Sequence, residues 1–219
     1  MTPTPNPTPD AATAARHVAD LVALMQLAPT GEDRYRGQSE NIGTPAVFGG
    51  QVLAQSLVAA SLTVPADRAV HSMHAYFLLP GQHAPIDYTV HRARDGRSFT
   101  TRHVIARQEG REIFEMAASF QTRDEGIDHQ DAMPAAPDPL AQPSELERRI
   151  ALGDRVPAQY RFRGLISPGL EVRVVDAPEL LSPQPSPPRS LIWMRAIAPL
   201  PDDPLVHRAL LAYASDNGL

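Results

Sequence analysis

Residues 47–62, VFGGQVLAQSLVAASL, decide the fold. At helical spacing this segment is apolar nearly all round, because Val47, Phe48, Val52, Leu53, Ala54, Leu57, Val58, Ala59, Ala60 and Leu62 leave no polar face. A helix of that kind must be surrounded by protein. Past Pro65 the period switches from helical to alternating, and four long strand-like runs follow: Ala69–Leu79, Ile86–Arg94, Ser98–Gln108 and Arg111–Gln121. Asp95-Gly96 and Glu109-Gly110 stand at two of the joints as hairpin signals. At least the last three runs therefore form an antiparallel meander.

One buried helix followed by a meander long enough to curl around it is the physical description of a hotdog fold, in the α+β class. Upstream, Val18, Leu21, Val22 and Met25 recur at three- and four-residue spacings and predict a helix over Ala11–Leu27, with Pro29 just past its end. Residues 1–10, MTPTPNPTPD, have almost nothing to bury and read as a disordered, proline-rich tail. The N-terminal hotdog domain is thus expected over 11–122.

Downstream, prolines 134, 137, 139 and 143 mark a linker, and a short helix is expected near Ser144–Leu152. The linker is taken as 123–165. A strand over Leu170–Asp176, another over Ser190–Ile197 and a helix over Pro204–Ser215 then begin to repeat the order of the first half. The chain stops at Leu219, where a second meander should start, so 166–219 is expected to be the truncated beginning of a C-terminal hotdog.

With 219 residues, 42% of them hydrophobic, the chain can bury a sizeable core. Its net charge is −5, and all 20 basic residues are arginine. Zero lysine and zero cysteine exclude a cysteine nucleophile, a disulfide, a lysine Schiff base and a P-loop lysine. The acidic balance argues against nucleic acid as a partner. No apolar run approaches the roughly 20 residues of a membrane span. Arg16 is the first basic residue, and Leu21–Ala28 is short and interrupted by Gln26, so the N-terminus does not read as a signal peptide. A cytoplasmic protein is expected.

The candidate chemistry is sparse. Gly37-Gln38-Ser39-Glu40-Asn41 nearly matches a nucleophile elbow, but Asn41 replaces the last glycine and the strand–turn–helix context is missing, so Ser39 reads as a loop hydroxyl. His71 and His74, three residues apart on a strand, should point to opposite faces, one inward and one outward. They cannot share a metal ion in that arrangement, and no metal site is expected, although one of them could line a pocket. Gly49, Gly50 and Gln51 open the buried helix. Glycines there either permit tight helix–sheet packing or let a ligand reach the exposed N–H groups. Val206, Ala209, Tyr213 and Asp216 share one helical stripe, which aims a carboxylate at the core. A carboxylate so placed is costly unless paired or used. Asp216-Asn217-Gly218 also reads as a helix end, which would leave the side chain wet.

The sequence resembles the bacterial acyl-CoA thioesterase II group, whose architecture is a double hotdog. The resemblance lies in Tyr35–Glu40, Val47–Val52, Val70–Gly81, Arg94–Phe99, Ala117–Gln121, Leu170–Arg173, Trp193–Ala196, Leu200–Pro204 and Ala212–Asp216. It implies hydrolysis of fatty acyl-CoA to fatty acid and CoA without a cofactor, and a homo-oligomer by analogy with other hotdogs. In that family an aspartate of the second hotdog helix, a threonine and a glutamine hold the attacking water. Asp216 matches the aspartate, and the other two belong to strands past Leu219. His71 and His74 match the family's histidine-bearing strand. Two other readings are a non-catalytic fragment or acyl-CoA-binding module, and a hotdog hydratase or dehydratase. The last would want a histidine beside an acid on the buried helix, and Gly49–Leu62 holds no His, Asp or Glu.

Overall fold

The helix over the deciding stretch, α2 (Gly49–Ser61), is buried without interruption from Gly50 to Ala60, as its lack of a polar face requires. The computed structural model describes residues 9–156, 167–179, 181–182, 184–185 and 187–217. Most of the expected 1–10 tail, the end of the 123–165 linker and the first residue of the 166–219 segment lie outside the described residues.

The chain forms two compact units, one from Val22–Asp128 with the described part of Pro201–Leu219, the other from the described parts of Met1–Leu21 and His129–Leu200. In the first unit, among the described residues, a six-stranded antiparallel sheet holds α2. Its strands are β1 (Ala28–Gly31), β2 (Arg34–Gly37), β3 (Arg68–Phe77), β4 (Ile86–Asp95), β5 (Phe99–Gln108) and β6 (Arg111–Thr122). They lie in the order β1-β2-β4-β5-β6-β3. The meander is β4-β5-β6. Glu109 (φ 50°) and Gly110 (φ 77°) both take positive φ in the two-residue β5–β6 turn, as that hairpin type needs. β3 closes the sheet as an edge strand beside β6.

Alternation decides what faces the helix. Ile86, Tyr88 and Val90 on β4, Thr100, Arg102, Val104 and Ala106 on β5, and Phe114, Met116, Ala118 and Phe120 on β6 are buried, while their neighbours are less so. A central helix packed on such a sheet is the hotdog fold, to which a short second sheet and a further helix are added.

Two polar clusters fix α2 inside this shell. Gln55, fully buried, donates from Nε2 to the carbonyls of Leu24 (2.7 Å) and Gln38 (2.9 Å) and accepts from the Tyr88 hydroxyl (2.6 Å). Arg102, 1% exposed, uses all five N–H groups on Thr63, Arg94, Thr101 and Asp95, tying the end of α2 to the β4–β5 hairpin. Buried polar groups survive only when satisfied, and these are.

β1 and β2 were not predicted. They are four residues each, too short to show a period, and β2 is recruited by pairing with β4 from Arg34↔Thr89 to Gly37↔Ile86. The first helix, α1, spans Ala11–Leu24 and ends three residues earlier than its pattern suggested. In the second unit α3 (Glu145–Leu152) starts at a capping box between Ser144 and Glu147, and β7 (Leu170–Val175) pairs antiparallel with β8 (Leu191–Ala196). Glu171 joins these strands, accepting from Arg173 (2.9 Å) and Arg195 (2.8 Å). The last helix, α4 (Pro204–Ser215), belongs to the first unit and packs on α2. Its Asp203 N-cap accepts from the Leu205 N–H at 2.8 Å, with Pro204 in the first turn, where no N–H is missed.

Candidate active site

α2 and α4 cross where neither presents bulk. A Cβ on Gly50 would overlap the carbonyl oxygen of Tyr213, while the Tyr213 ring stands edge-on to Phe48 with centroids 4.9 Å apart. The crossing brings the last residue of the α4 stripe to the first turn of α2. Asp216 is the C-cap of α4, held by its N–H to the Ala214 carbonyl, and its side chain turns toward Gly49 and Gly50 rather than fraying into water.

The first turn of α2 lacks a side-chain cap, since Phe48 has nothing to offer its N–H groups. The Asp216 carboxylate lies against this turn instead, near enough for the Gly50 N–H to favour its charged form. Two effects oppose at this carboxyl: burial pushes its pKa above the usual carboxylate range, and the Gly50 N–H pulls it down. Burial is the larger. Gly49 makes the approach possible, because a Cβ there would lie 2.7 Å from Asp216 Oδ2 and 2.7 Å from the Phe77 ring.

Asp216 faces two clefts. One, of about 360 Å³, is lined by Val47, Val52, Leu79, Ile113 and Phe114, and among the described residues Asp216 is the only ionisable one on its wall. The other, of about 230 Å³, runs along Leu53, Met73 and Ala75 to Ser215. Phe77 and Asp216 belong to both. A half-desolvated carboxylate beside fixed N–H dipoles, at the mouth of an apolar cleft, can orient a water and accept its proton. Among the described residues no group of three or more His, Asp or Glu is arranged to hold a metal.

The other candidates divide. Gly49 lines the first cleft and Gly50 carries the N–H that meets Asp216. Gln51 is turned away: its Oε1 accepts from the Glu40 N–H (3.0 Å) and its Nε2 donates to the Gln38 carbonyl (3.1 Å), so it braces the 38–40 loop. Ser39 sits on that loop and lines neither cleft.

His71 and His74 do not point to opposite faces. The β3–β6 pairing slips between Val70↔Phe120 and Ser72↔Ser119, so a bulge at His71 resets the alternation. His71 bonds Ser119 Oγ at 2.9 Å, and His74 is paired with Ala117, two residues from Ser119 and so on the same outer face. Both are exposed. His74 borders the second cleft but turns its ring edge-on to Tyr76, and His71 lies at a third cleft with Arg68, Arg123 and Arg208. Phe77 was missed by the sequence reading. Its signal is that it continues the core-facing set Met73, Ala75, Phe77 to the very end of β3, where the ring is still 53% exposed.

Comparison with known proteins gives consistent relatives. Residues 36–121 match the family model of the acyl-CoA thioesterase N-terminal domain. Acyl-CoA thioesterase 2 of Haemophilus influenzae is 34% identical over 200 residues, covering 90% of this chain and 69% of the relative. Mouse acyl-coenzyme A thioesterase 8 is 35% identical over 214 residues, and there the chain spans 64% of the relative's length. Among solved structures, an acyl-CoA thioesterase II from Mycobacterium marinum is 40% identical with a TM-score of 0.67, covering 90% of this chain and 66% of that one. A tesB protein from Mycobacterium avium subs paratuberculosis is 31% identical with a TM-score of 0.71, covering 91% and 69%.

Proposed function

This chain belongs to the acyl-CoA thioesterase II family, and from that premise we propose that it hydrolyses fatty acyl-CoA thioesters to free fatty acid and CoA, with Asp216 orienting the attacking water. The observation that carries the proposal is the carboxyl of Asp216 set against the start of α2, at the mouth of an apolar cleft. Water held by the carboxylate attacks the thioester carbon as Asp216 takes its proton. The tetrahedral oxyanion collapses, the C–S bond breaks and CoA leaves as the thiol, taking the proton back from Asp216 and restoring its carboxylate. Neither lysine nor cysteine is needed for such a route, and the sequence has neither.

A positioned general base contributes about 10²–10⁴-fold to the rate. Thiol release from an acyl-CoA series, followed with a thiol reagent, has no background from a cysteine-free protein. Asp216→Asn should lose about 10²–10⁴-fold in kcat by that measure. Binding of acyl-CoA with no thiol released at any chain length would favour the acyl-CoA-binding module instead, and a full rate in Asp216→Asn would overturn the role of the carboxylate. A cytoplasmic homo-oligomer is the accompanying proposal, the compartment from the cysteine-free composition and the assembly by analogy. No helix among the described residues is long and apolar enough to cross a membrane.

A further inference from the structure

We propose that Phe77 divides the bound substrate in two, with the acyl chain in the cleft toward Leu79 and Ile113 and the CoA arm in the cleft along Met73 and Ala75. This rests on the thioesterase reading and specifies how its substrate lies. Among the described residues the two clefts share only Phe77 and Asp216, so a chain that occupies both must pass the carboxyl at the point where the ring separates them. The ring is held on one side by Phe114, at 5.1 Å between centroids, and fits on the other against the bare Cα of Gly49. Its remaining half is exposed and available to a ligand.

The direction follows from what lies beyond each cleft. Among the described residues the first has no ionisable wall residue other than Asp216, and it suits a hydrocarbon chain. Nearer the start of β3, on the side of the second cleft, lies another cleft lined by Arg68, Arg123 and Arg208, together with Asp67 and Asp124. Arg123 and Arg208 form no ion pair among the described residues. From Val70 to Phe77 the strand rises about 20 Å, roughly 3.3 Å per residue with the bulge at His71 adding no step. A flexible arm with phosphates at its far end spans such a distance, and guanidinium groups are suited to receive them.

The test is the chain-length profile of kcat/KM over short, medium and long acyl-CoAs. In Phe77→Ala and Phe77→Leu the ratio between the best and worst substrates should change at least tenfold, more in Ala than in Leu. Arg208→Glu should raise KM by one common factor at all lengths and leave kcat and the profile's shape unchanged. If Phe77 variants lower kcat/KM equally at every length, the ring is merely structural and the division is wrong. An unchanged KM in Arg208→Glu removes the assignment of direction. A wild type that releases no thiol from any substrate defeats the thioesterase reading itself, whereas turnover with superimposable profiles defeats only the division by Phe77.

Discussion

α2 and α4 are apolar helices of nearly equal length, 13 and 12 residues, yet they meet different surroundings. α2 is covered by the sheet on one side and by α4 on another, so even Gln51, Gln55 and Ser56 are taken inside. α4 buries Ala209, Leu210, Ala212, Tyr213 and Ala214, while Leu211 remains 72% exposed. Composition alone therefore does not set burial; what covers the helix does. The same contrast underlies the proposed chemistry, because the enclosed helix presents the N–H groups of its first turn and the partly covered one brings a carboxylate beside them.

The contrast predicts a graded series of stability effects. Leu57→Ala, at a site 2% exposed inside the shell, should cost about 2–5 kcal/mol in denaturant unfolding. Gly50→Ala puts a methyl into the Tyr213 carbonyl and should cost about 1–3 kcal/mol by overpacking the helix crossing. An unchanged unfolding midpoint there would mean that the two helices are not in the described contact.

Asp216→Asn should act in the opposite sense. Burial raises this carboxyl's pKa in the folded chain, so ionising it opposes folding: its contribution is fully present below the unfolded carboxylate pKa of about 3.9 and is lost as pH rises through the folded value. The asparagine variant should melt slightly higher than wild type at neutral pH, with the gap closing toward pH 4. A lower melting temperature at neutral pH would show that the charge stabilises the crossing. Leu211→Ala, on the exposed side of α4, should be the smallest change, within about 0.5 kcal/mol.

The parts of this fold that were legible in the sequence share one property: their signal is local and repeated. The all-apolar face of α2 and the alternation through β4, β5 and β6 extend over many residues, and the two-residue turn at Glu109-Gly110 is marked by its own residue types. β1 and β2 give no such signal, since four residues around Pro29 and Gly31 acquire their strand state from pairing. The two histidines were misplaced because a single extra residue at His71 inverts a period-two argument, and nothing local announces a bulge. Asp216 was legible as a carboxylate on an apolar stripe. Gly49 and Gly50 were legible as candidates by themselves, but their place beside Asp216 was not, because that approach exists only after α2 and α4 have crossed.

The central claim is that the Asp216 carboxylate, desolvated and set at the start of α2, is the base for water attack. The pH dependence of kcat/KM for a long-chain acyl-CoA, in wild type and in Asp216→Asn, addresses it most directly. Wild type should lose activity in acid along a limb whose midpoint lies above the ordinary aspartate value of about 3.9, and the residual rate of the variant should lack that limb. A variant that keeps the same limb, or a wild-type midpoint at or below the ordinary value, would contradict it.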